Sequence, residues 1–231
     1  KELLSFSDDD DIHRDLGVSY GQLGRVYEAK GELDQALECF EQALEIALHL
    51  SEGEGNTNQK ISDLSACYTN LGVVYHGKRN LSEAEKHYEE SLKIDKQLSE
   101  DNPESFGLKF DLGVSYGNLA GIYEDQGNLD KALGYRQTAL RLFQELRVKN
   151  PKSEQLRRSE IFVVQRISEI LADLGMWDSA LKHSKDSLSL ALLLQENMPF
   201  SEKAIAGLIR SYVLHGNIFL DQGDYRLAHE T

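Results

Sequence analysis

The chain has 231 residues, of which 25 are lysine or arginine and 39 are aspartate or glutamate, so its formal net charge at pH 7 is −14. An acidic chain is a poor non-specific ligand for nucleic acid or an anionic membrane surface. Hydrophobic residues make up 40% of the sequence, which is enough for a core and disfavours disorder. The longest apolar run, residues 188–194, is too short to span a bilayer, so membrane insertion is not predicted.

Helix-capping residues recur at intervals of 48 residues along the whole chain. Ser, Thr and Asp side chains at such places accept hydrogen bonds from the free amides of a helix's first turn. The five caps are Asp9, Thr57, Ser105, Ser153 and Ser201. The chain's three prolines, Pro103, Pro151 and Pro199, each precede one of these caps by two residues, where proline ends the previous helix.

Each period is predicted to hold two helices. The first helices are expected at 10–30, 58–77, 106–126, 154–174 and 202–222. Glycine, which tolerates the left-handed conformation, ends four of them at Gly31, Gly127, Gly175 and Gly223. Arg79 takes this place in the second period, where we expect a strained or differently shaped turn. The second helices are expected to start at Asp34, Ser82, Asp130 and Asp178 and to run to about residues 50, 98, 148 and 195.

These periods predict one repeat array over residues 1–231. Residues 1–8 form the tail of a preceding repeat, four full repeats occupy 9–56, 57–104, 105–152 and 153–200, and a partial fifth occupies 201–231. Neither end shows the polar capping helix that a helical stack uses to cover its last apolar face. We therefore expect a piece of a longer protein.

A motif lies within the first helices of the first three periods. Its residues are Leu23-Gly24-x-x-Tyr27, Leu71-Gly72-x-x-Tyr75 and Leu119-Ala120-x-x-Tyr123, followed by Ala36, Ala84 and Ala132 and by the aromatic residues Phe40 and Tyr88. This pattern resembles the tetratricopeptide repeat. The fourth period departs from it at Ser168, Leu171 and Ser184. The resemblance implies an all-α, right-handed solenoid of antiparallel helix pairs.

The period is longer than the 34 residues of a minimal repeat of this family. The 14 additional residues lengthen both helices of each pair. In this respect the chain is similar to the long-helix repeats of kinesin light chain, of Pins-type polarity scaffolds and of bacterial signalling arrays.

The resemblance also implies that the first helices line a concave groove that holds peptides. Asn70 and Asn118 are similar to asparagines that hold a peptide backbone in long-helix relatives, since an amide both donates and accepts. The other groove candidates are Gln22, Arg25, His76, Glu124, Arg166, Glu169 and Asn217. The carboxylate clamp of the family's chaperone-cofactor branch has no counterpart at Gly21/Arg25, Thr69/Val73 and Gly117/Gly121, which disfavours an acidic C-terminal ligand.

Glycines and charges give two further hypotheses. Gly17, Gly21 and Gly24 lie inside a predicted helix, without the lysine and preceding strand of a phosphate loop, so they favour close helix approach or room for a ligand. Residues 1–64 carry 5 basic and 15 acidic residues, whereas 113–160 carry 8 and 6. The basic residues predict either a solvated outer face or a convex docking patch. That patch comprises Arg136, Arg141, Arg147, Lys149, Arg157 and Arg158.

The expected function is a non-catalytic, protein- or peptide-binding scaffold. No paired nucleophile and base and no metal-ligand spacing are found, so no enzyme, cofactor or metal site is predicted. Two cysteines without a framework fit a reducing, cytoplasmic setting. The alternative is a structural or regulatory array that packs on another domain of the same longer protein or self-associates through its uncapped ends.

Overall fold

A computed structural model describes residues 5–52 and 57–221 of the chain. Within those ranges it contains nine α-helices and no strand, which confirms an all-α protein. The helices are α1 (Ser5–Ala29), α2 (Leu33–Glu52), α3 (Asn58–Gly77), α4 (Leu81–Asp101), α5 (Phe106–Asp125), α6 (Leu129–Lys149), α7 (Glu154–Asp173), α8 (Trp177–Asn197) and α9 (Glu202–Asp221).

The helix starts follow the 48-residue period. Helices α3, α5, α7 and α9 start at residues 58, 106, 154 and 202, and α2, α4, α6 and α8 start at 33, 81, 129 and 177. Helix α1 is the exception, because it begins at Ser5 and runs unbroken across the predicted boundary between residues 8 and 9. The predicted cap at Asp9 is therefore wrong. The acidic run instead lies in the first turns of a longer helix, where its charge suits the helix dipole. The predicted stop at Gly223 lies outside the described residues.

The other four predicted caps are confirmed. Thr57 Oγ1 accepts a hydrogen bond from the Lys60 amide at 3.3 Å, and Ser153 Oγ accepts one from the Leu156 amide at the same distance. Ser105 and Ser201 accept the equivalent bond at the starts of α5 and α9. The capping side chains thus satisfy amides that have no partner inside the helix.

Positive φ angles occur where the first helices end. Gly31, Gly127 and Gly175 have φ values of 77°, 75° and 72°, and Arg79 has φ 60° at the equivalent place. A non-glycine residue in this conformation costs roughly 1–2 kcal/mol, because its Cβ approaches the following carbonyl oxygen. The structure therefore confirms the strained alternative at Arg79.

The second helices start one residue earlier than predicted, because asparagines cap two of them. Asn80 and Asn128 each accept a hydrogen bond at 3.3 Å from the amide three residues later. Met176 takes the equivalent place before α8, with φ −87° and ψ 58°, and its side chain makes no capping bond. Asn128 has nearly the same backbone, with φ −86° and ψ 71°.

We expect the substitution Met176→Asn to raise the free energy of unfolding by ~1 kcal/mol, because it supplies the missing acceptor on a backbone already shaped for it. Denaturant titration followed by circular dichroism measures the change. The matched control is Asn128→Ala, which removes the same bond from α6 and should cost a similar amount. A destabilising control beside an unchanged Met176→Asn variant would contradict this account of the cap.

The motif glycines allow the two helices of a pair to approach closely. A Cβ atom on Gly24 would lie 2.6 Å from Phe40 Cε1, and one on Gly72 would lie 2.5 Å from Tyr88 Cε1. Both rings are almost fully buried. The α1–α2 and α3–α4 pairs therefore share one geometry. In each pair an aromatic ring of the second helix lies directly on the backbone of the first helix at its glycine.

The chain divides into two compact units, Lys1–Ile122 (unit 1) and Tyr123–Thr231 (unit 2). The division falls within α5 and not at a predicted repeat boundary. The core of unit 1 includes a buried cluster of Ala36, Phe40, Leu71 and Val74. The core of unit 2 includes a buried cluster of Ile161, Ala191, Leu194 and Ala204.

Candidate functional site

The first part of the candidate site is a cleft in unit 1 between α1, α2 and α3. It encloses about 560 Å³ of space and is open to solvent. Much of its wall is apolar, and most of the apolar side chains come from α1 and α2. They are Val18, Ala43, Ile46, Ala47 and Leu50.

Two glycines of α1 shape this part of the cleft in different ways. A Cβ atom on Gly17 would lie 3.2 Å from Ile46 Cγ2, so Gly17 serves the close approach of α1 and α2. A Cβ atom on Gly21 would have no neighbour within 4 Å, although Gly21 itself is buried. Both predicted roles of these glycines are therefore found: Gly17 allows close approach of the helices, and Gly21 leaves open space.

The second part of the cleft lies between α3, α4 and α5 and encloses about 610 Å³. Its wall is more polar and includes Ser62, Thr69 and Asp111. Arg25, Ala66 and Asn70 line both parts, so the two parts adjoin along the first helices of unit 1, and we call them together the cleft.

A buried carboxylate, Asp95 of α4, lies at the floor of the second part. Ser65 Oγ donates to Asp95 Oδ1 at 2.6 Å, and Ser115 and Ser91 donate to Asp95 Oδ2. Burial raises the pKa of Asp95, and the three hydroxyl donors only partly oppose that rise. The pKa of Asp111, one turn before Ser115 on α5, is also raised, first by burial and then by the charge of Asp95.

The raised pKa of Asp95 predicts a pH-dependent stability. A carboxyl whose pKa is higher in the folded state stabilises that state fully below its unfolded-state pKa, near the ordinary value of 3.8. This contribution is lost as the pH rises through the higher, folded-state value. The neutral Asp95→Asn variant keeps an acceptor for the serine hydroxyls, and these can rotate to accept in turn.

We therefore expect Asp95→Asn to gain stability relative to the unmodified chain as the pH rises from about 4 towards 7. Denaturant titrations at several pH values measure the difference between the two proteins. Asp101→Asn, an exposed position on the same helix, controls for the loss of one charge from α4. A difference that stays constant with pH would show that Asp95 does not titrate abnormally.

Cations along the cleft differ in their partners. Arg14 Nε lies 2.6 Å from Asp63 Oδ2, and Lys60 Nζ lies 2.8 Å from Asp10 Oδ2, so both charges are balanced within the cleft wall. The exposed Arg25 donates to the carbonyl of Gly21 on its own helix at 3.4 Å.

A cysteine also lines the first part of the cleft. Burial, assisted by the charge of Asp63, raises the pKa of Cys67 to about 12. The thiol therefore stays protonated at neutral pH and acts as part of the apolar wall.

The predicted groove residues are only partly brought together. Arg25 and Asn70 line the cleft, whereas Asn118 and His76 are half-buried outside its lining and Gln22 is exposed on α1. The remaining candidates belong to unit 2, where Asn217 is exposed on α9. The sequence pattern did not indicate Asp95, Asp111 or the serines around Asp95. Asp95 and Ser91 lie on a second helix, α4, and serine and aspartate clusters along the chain were interpreted as caps or helix starts.

Three other groove candidates form an ion-pair network in unit 2. Glu124 Oε1 lies 2.7 Å from Arg136 Nε, and Arg166 pairs with both Glu124 and Glu169. Arg136 is 5% exposed, so its assignment to a convex basic patch is wrong. It stands 48 residues after Tyr88, at the buried aromatic place of the repeat, and its guanidinium also lies 5.5 Å from the centre of the Phe162 ring.

Most other members of the predicted basic patch have acidic partners. Arg141 pairs with Glu145 and Arg158 with Glu154, each one turn apart. Arg147 Nε lies 2.7 Å from the buried Glu160 Oε2, without the alignment of a hydrogen bond. Arg157 donates to the carbonyl of Pro151, and Lys149 is exposed. These pairs offset much of the positive charge that the sequence placed here.

The fourth period, which departs from the repeat motif, has hydrogen-bonding side chains at two of the motif positions. Ser168 donates to the carbonyl of Ala180 at 2.7 Å, which replaces an apolar contact between α7 and α8. Ser184, at the aromatic place, lies 2.7 Å from His215 Nδ1 on α9. Burial lowers the pKa of His215, so this pair is neutral at physiological pH. Hydrogen bonds thus replace the ring-on-glycine contact in this repeat.

Paired helices that start every 48 residues define a helical-repeat protein. Family comparison then identifies the repeat: sequence profiles described as tetratricopeptide repeat match residues 17–47, 64–104 and 115–147. These matches support the assignment of the three segments to the tetratricopeptide repeat family. Proteins of this family are protein-interaction scaffolds in general. A search of curated protein sequences found no significant match.

Solved structures share the fold at low sequence identity. BtubC (BKLC) from P. vanneervenii is 20% identical with a TM-score of 0.74, over 99% of this chain and 82% of that one. A putative kinesin light chain with nearly identical TPR-like repeats from Podosopora anserina is 18% identical with a TM-score of 0.67, over 94% and 92%. Together with the helix pairs, these neighbours confirm the predicted all-α solenoid.

A third neighbour contains the fold as part of a larger chain. It is the signal transduction ATPase with numerous domains PH0952 from Pyrococcus horikoshii, whose structure includes a tetratricopeptide repeat sensor. It is 17% identical with a TM-score of 0.63, over 94% of this chain and 36% of that one. Among the described helices of the present chain, none is both long and apolar enough to cross a membrane.

Proposed function

We propose that the chain is a non-catalytic, intracellular scaffold that binds a protein or peptide segment in the cleft of unit 1. The observation that carries this proposal is that the two parts of the cleft adjoin at Arg25 and Asn70. A ligand lying along α1, α3 and α5 would contact both residues.

Asn70 and Arg25 have the chemistry to hold a peptide backbone. The Asn70 amide is half-buried at the junction of the two parts, where it can donate to a carbonyl and accept from an amide of the ligand. Arg25 adds donors only. Arg14 and Lys60 are paired with Asp63 and Asp10, whereas no carboxylate of the cleft lining pairs with Arg25. Asn118 would extend the same row if the ligand continues along α5.

The proposal predicts a difference between matched asparagine variants. The probe is a synthetic peptide selected from a random phage library against the whole chain. Asn70→Ala should weaken its binding about tenfold, because a buried hydrogen-bonding group is lost at the centre of the interface. Asn217→Ala, which changes an exposed asparagine of unit 2, should leave the affinity unchanged. Fluorescence anisotropy measures both affinities, and circular dichroism checks the fold.

The opposite result would place the site elsewhere. A loss with Asn217→Ala but not with Asn70→Ala would assign the ligand to unit 2. If no peptide is enriched in the selection, or if neither variant changes the affinity, peptide binding in this cleft is rejected.

A second candidate function follows from an apolar stripe on α9. Ile205, Ile209, Val213 and Leu220 follow one another at intervals of four, four and seven residues on this helix and are 40%, 58%, 56% and 40% exposed. Contiguous exposed apolar residues often mark interaction surfaces. The stripe favours the alternative of a structural array that self-associates or packs on another domain.

Self-association through this stripe predicts a concentration-dependent dimer. The double variant Ile209→Glu/Val213→Glu should abolish the dimer, because a dimer interface would bury both charges without partners. The control Val148→Glu changes an apolar residue of α6 that is 80% exposed and lies off the stripe. Sedimentation velocity measures the oligomeric state, and a monomer at all concentrations would reject self-association.

A further inference from the structure

We infer that the cleft of unit 1 selects basic peptide segments that insert a bulky apolar side chain at Gly21 and place a lysine or arginine beside Asp111. This inference rests on the proposed function and specifies its ligand. It follows from three independent features of unit 1: the space at Gly21, the charges of the second part of the cleft, and the charge of the unit.

The space at Gly21 is shaped for an apolar side chain. Gly21 is buried yet has nothing within 4 Å of its Cβ position, so the space beside it belongs to the cleft and not to the packing of α1 on α2. Ile46, Leu50 and the protonated thiol of Cys67 line the same part of the cleft as Gly21. An apolar guest therefore gains from leaving water.

The second part of the cleft favours a cation. Its charged residues are Arg25, at the junction with the first part, and the carboxylates Asp95 and Asp111. Serine hydroxyls donate hydrogen bonds to Asp95, whereas Asp111 lines the cleft from α5 and lies close enough to sense the charge of Asp95. A guest ammonium or guanidinium group would relieve the repulsion between the two carboxylates.

The charge of the whole unit points the same way. Residues 1–122 contain 11 basic and 24 acidic residues, a net charge of −13, whereas residues 123–231 contain 14 and 15, a net charge of −1. A concentration of negative charge around a cleft attracts cationic ligands and speeds their association. An acidic ligand would find Arg14 and Lys60 already paired, with Arg25 as the remaining cation of the lining.

The experiment begins with the random phage library selected against the whole chain. We expect the enriched peptides to combine one bulky apolar residue with neighbouring lysine or arginine. The best peptide is then synthesised with a fluorescent label and titrated with the variants Gly21→Leu, Gly134→Leu and Asp111→Asn. Its affinity should fall as the salt concentration rises from about 50 to 300 mM.

Gly21→Leu should fill the cleft and weaken binding about tenfold without harming the fold, because its Cβ has open space and leucine forms helices better than glycine. Gly134→Leu is the matched control, since this glycine of α6 also has nothing within 4 Å and is exposed. Asp111→Asn should weaken binding of the basic peptide several-fold and leave a peptide with alanine in place of the lysine or arginine unaffected.

The outcomes separate this inference from the proposed function. If Asn70→Ala weakens binding but Gly21→Leu and Asp111→Asn do not, the cleft binds peptides and the inferred selectivity is wrong. If the enriched peptides are acidic or lack a bulky apolar residue, it is also wrong. If no peptide binds, or if Asn70→Ala, Gly21→Leu and Asp111→Asn all leave the affinity unchanged, both the inferred selectivity and the proposed function are wrong.

Discussion

The close approach between the helices of a pair is the constraint on which the rest of this structure depends. In the first two pairs a glycine of the first helix leaves its backbone bare, and an aromatic ring sixteen residues later covers it. A methyl group on either glycine would lie well inside van der Waals contact of the ring. This contact fixes the distance between the two helices of each pair. The 48-residue spacing of the helix starts places this contact at the same position in both pairs.

Unit 2 shows what happens when the ring is replaced. A charged or polar group in the same buried place requires a partner, because burial without one is costly. Arg136 therefore pairs with Glu124, and Ser184 with His215. The repeat keeps its backbone, but its interior changes from apolar packing to hydrogen bonds and ion pairs. Glu124, Arg166 and Glu169, which the sequence suggested as ligand-binding residues, therefore form ion pairs within the protein.

Helix caps and turns could be predicted from the sequence, whereas contacts between side chains of different helices could not. Thr57, Ser105 and the turn glycines act within one turn of the chain, so their types and spacing are sufficient. Asn80 and Asn128 are equally local, but an acidic residue or serine two positions later competes for the role of helix start. The burial of Arg136 was concealed because its charge suggested a surface residue, although the period assigned it an aromatic place.

The cleft depended on three helices at once and was therefore only half predicted. The row of first-helix residues correctly included Arg25 and Asn70. Gly17 and Gly21 are alike in sequence, and only the position of Ile46 on the neighbouring helix distinguishes packing from open space. Asp95 joins the site from a second helix, which the family pattern does not assign to the groove.

The regular spacing of the helix starts has a consequence for how such a chain can change its length. From α2 to α9 every start recurs after 48 residues without insertion. Removing or duplicating one whole period would join a helix end to an equivalent helix start and preserve every cap and turn. A shorter insertion within a helix would rotate one face by about 100° per residue and bring polar side chains into the core. Variants of this protein that still fold should therefore differ in length by multiples of one 48-residue period.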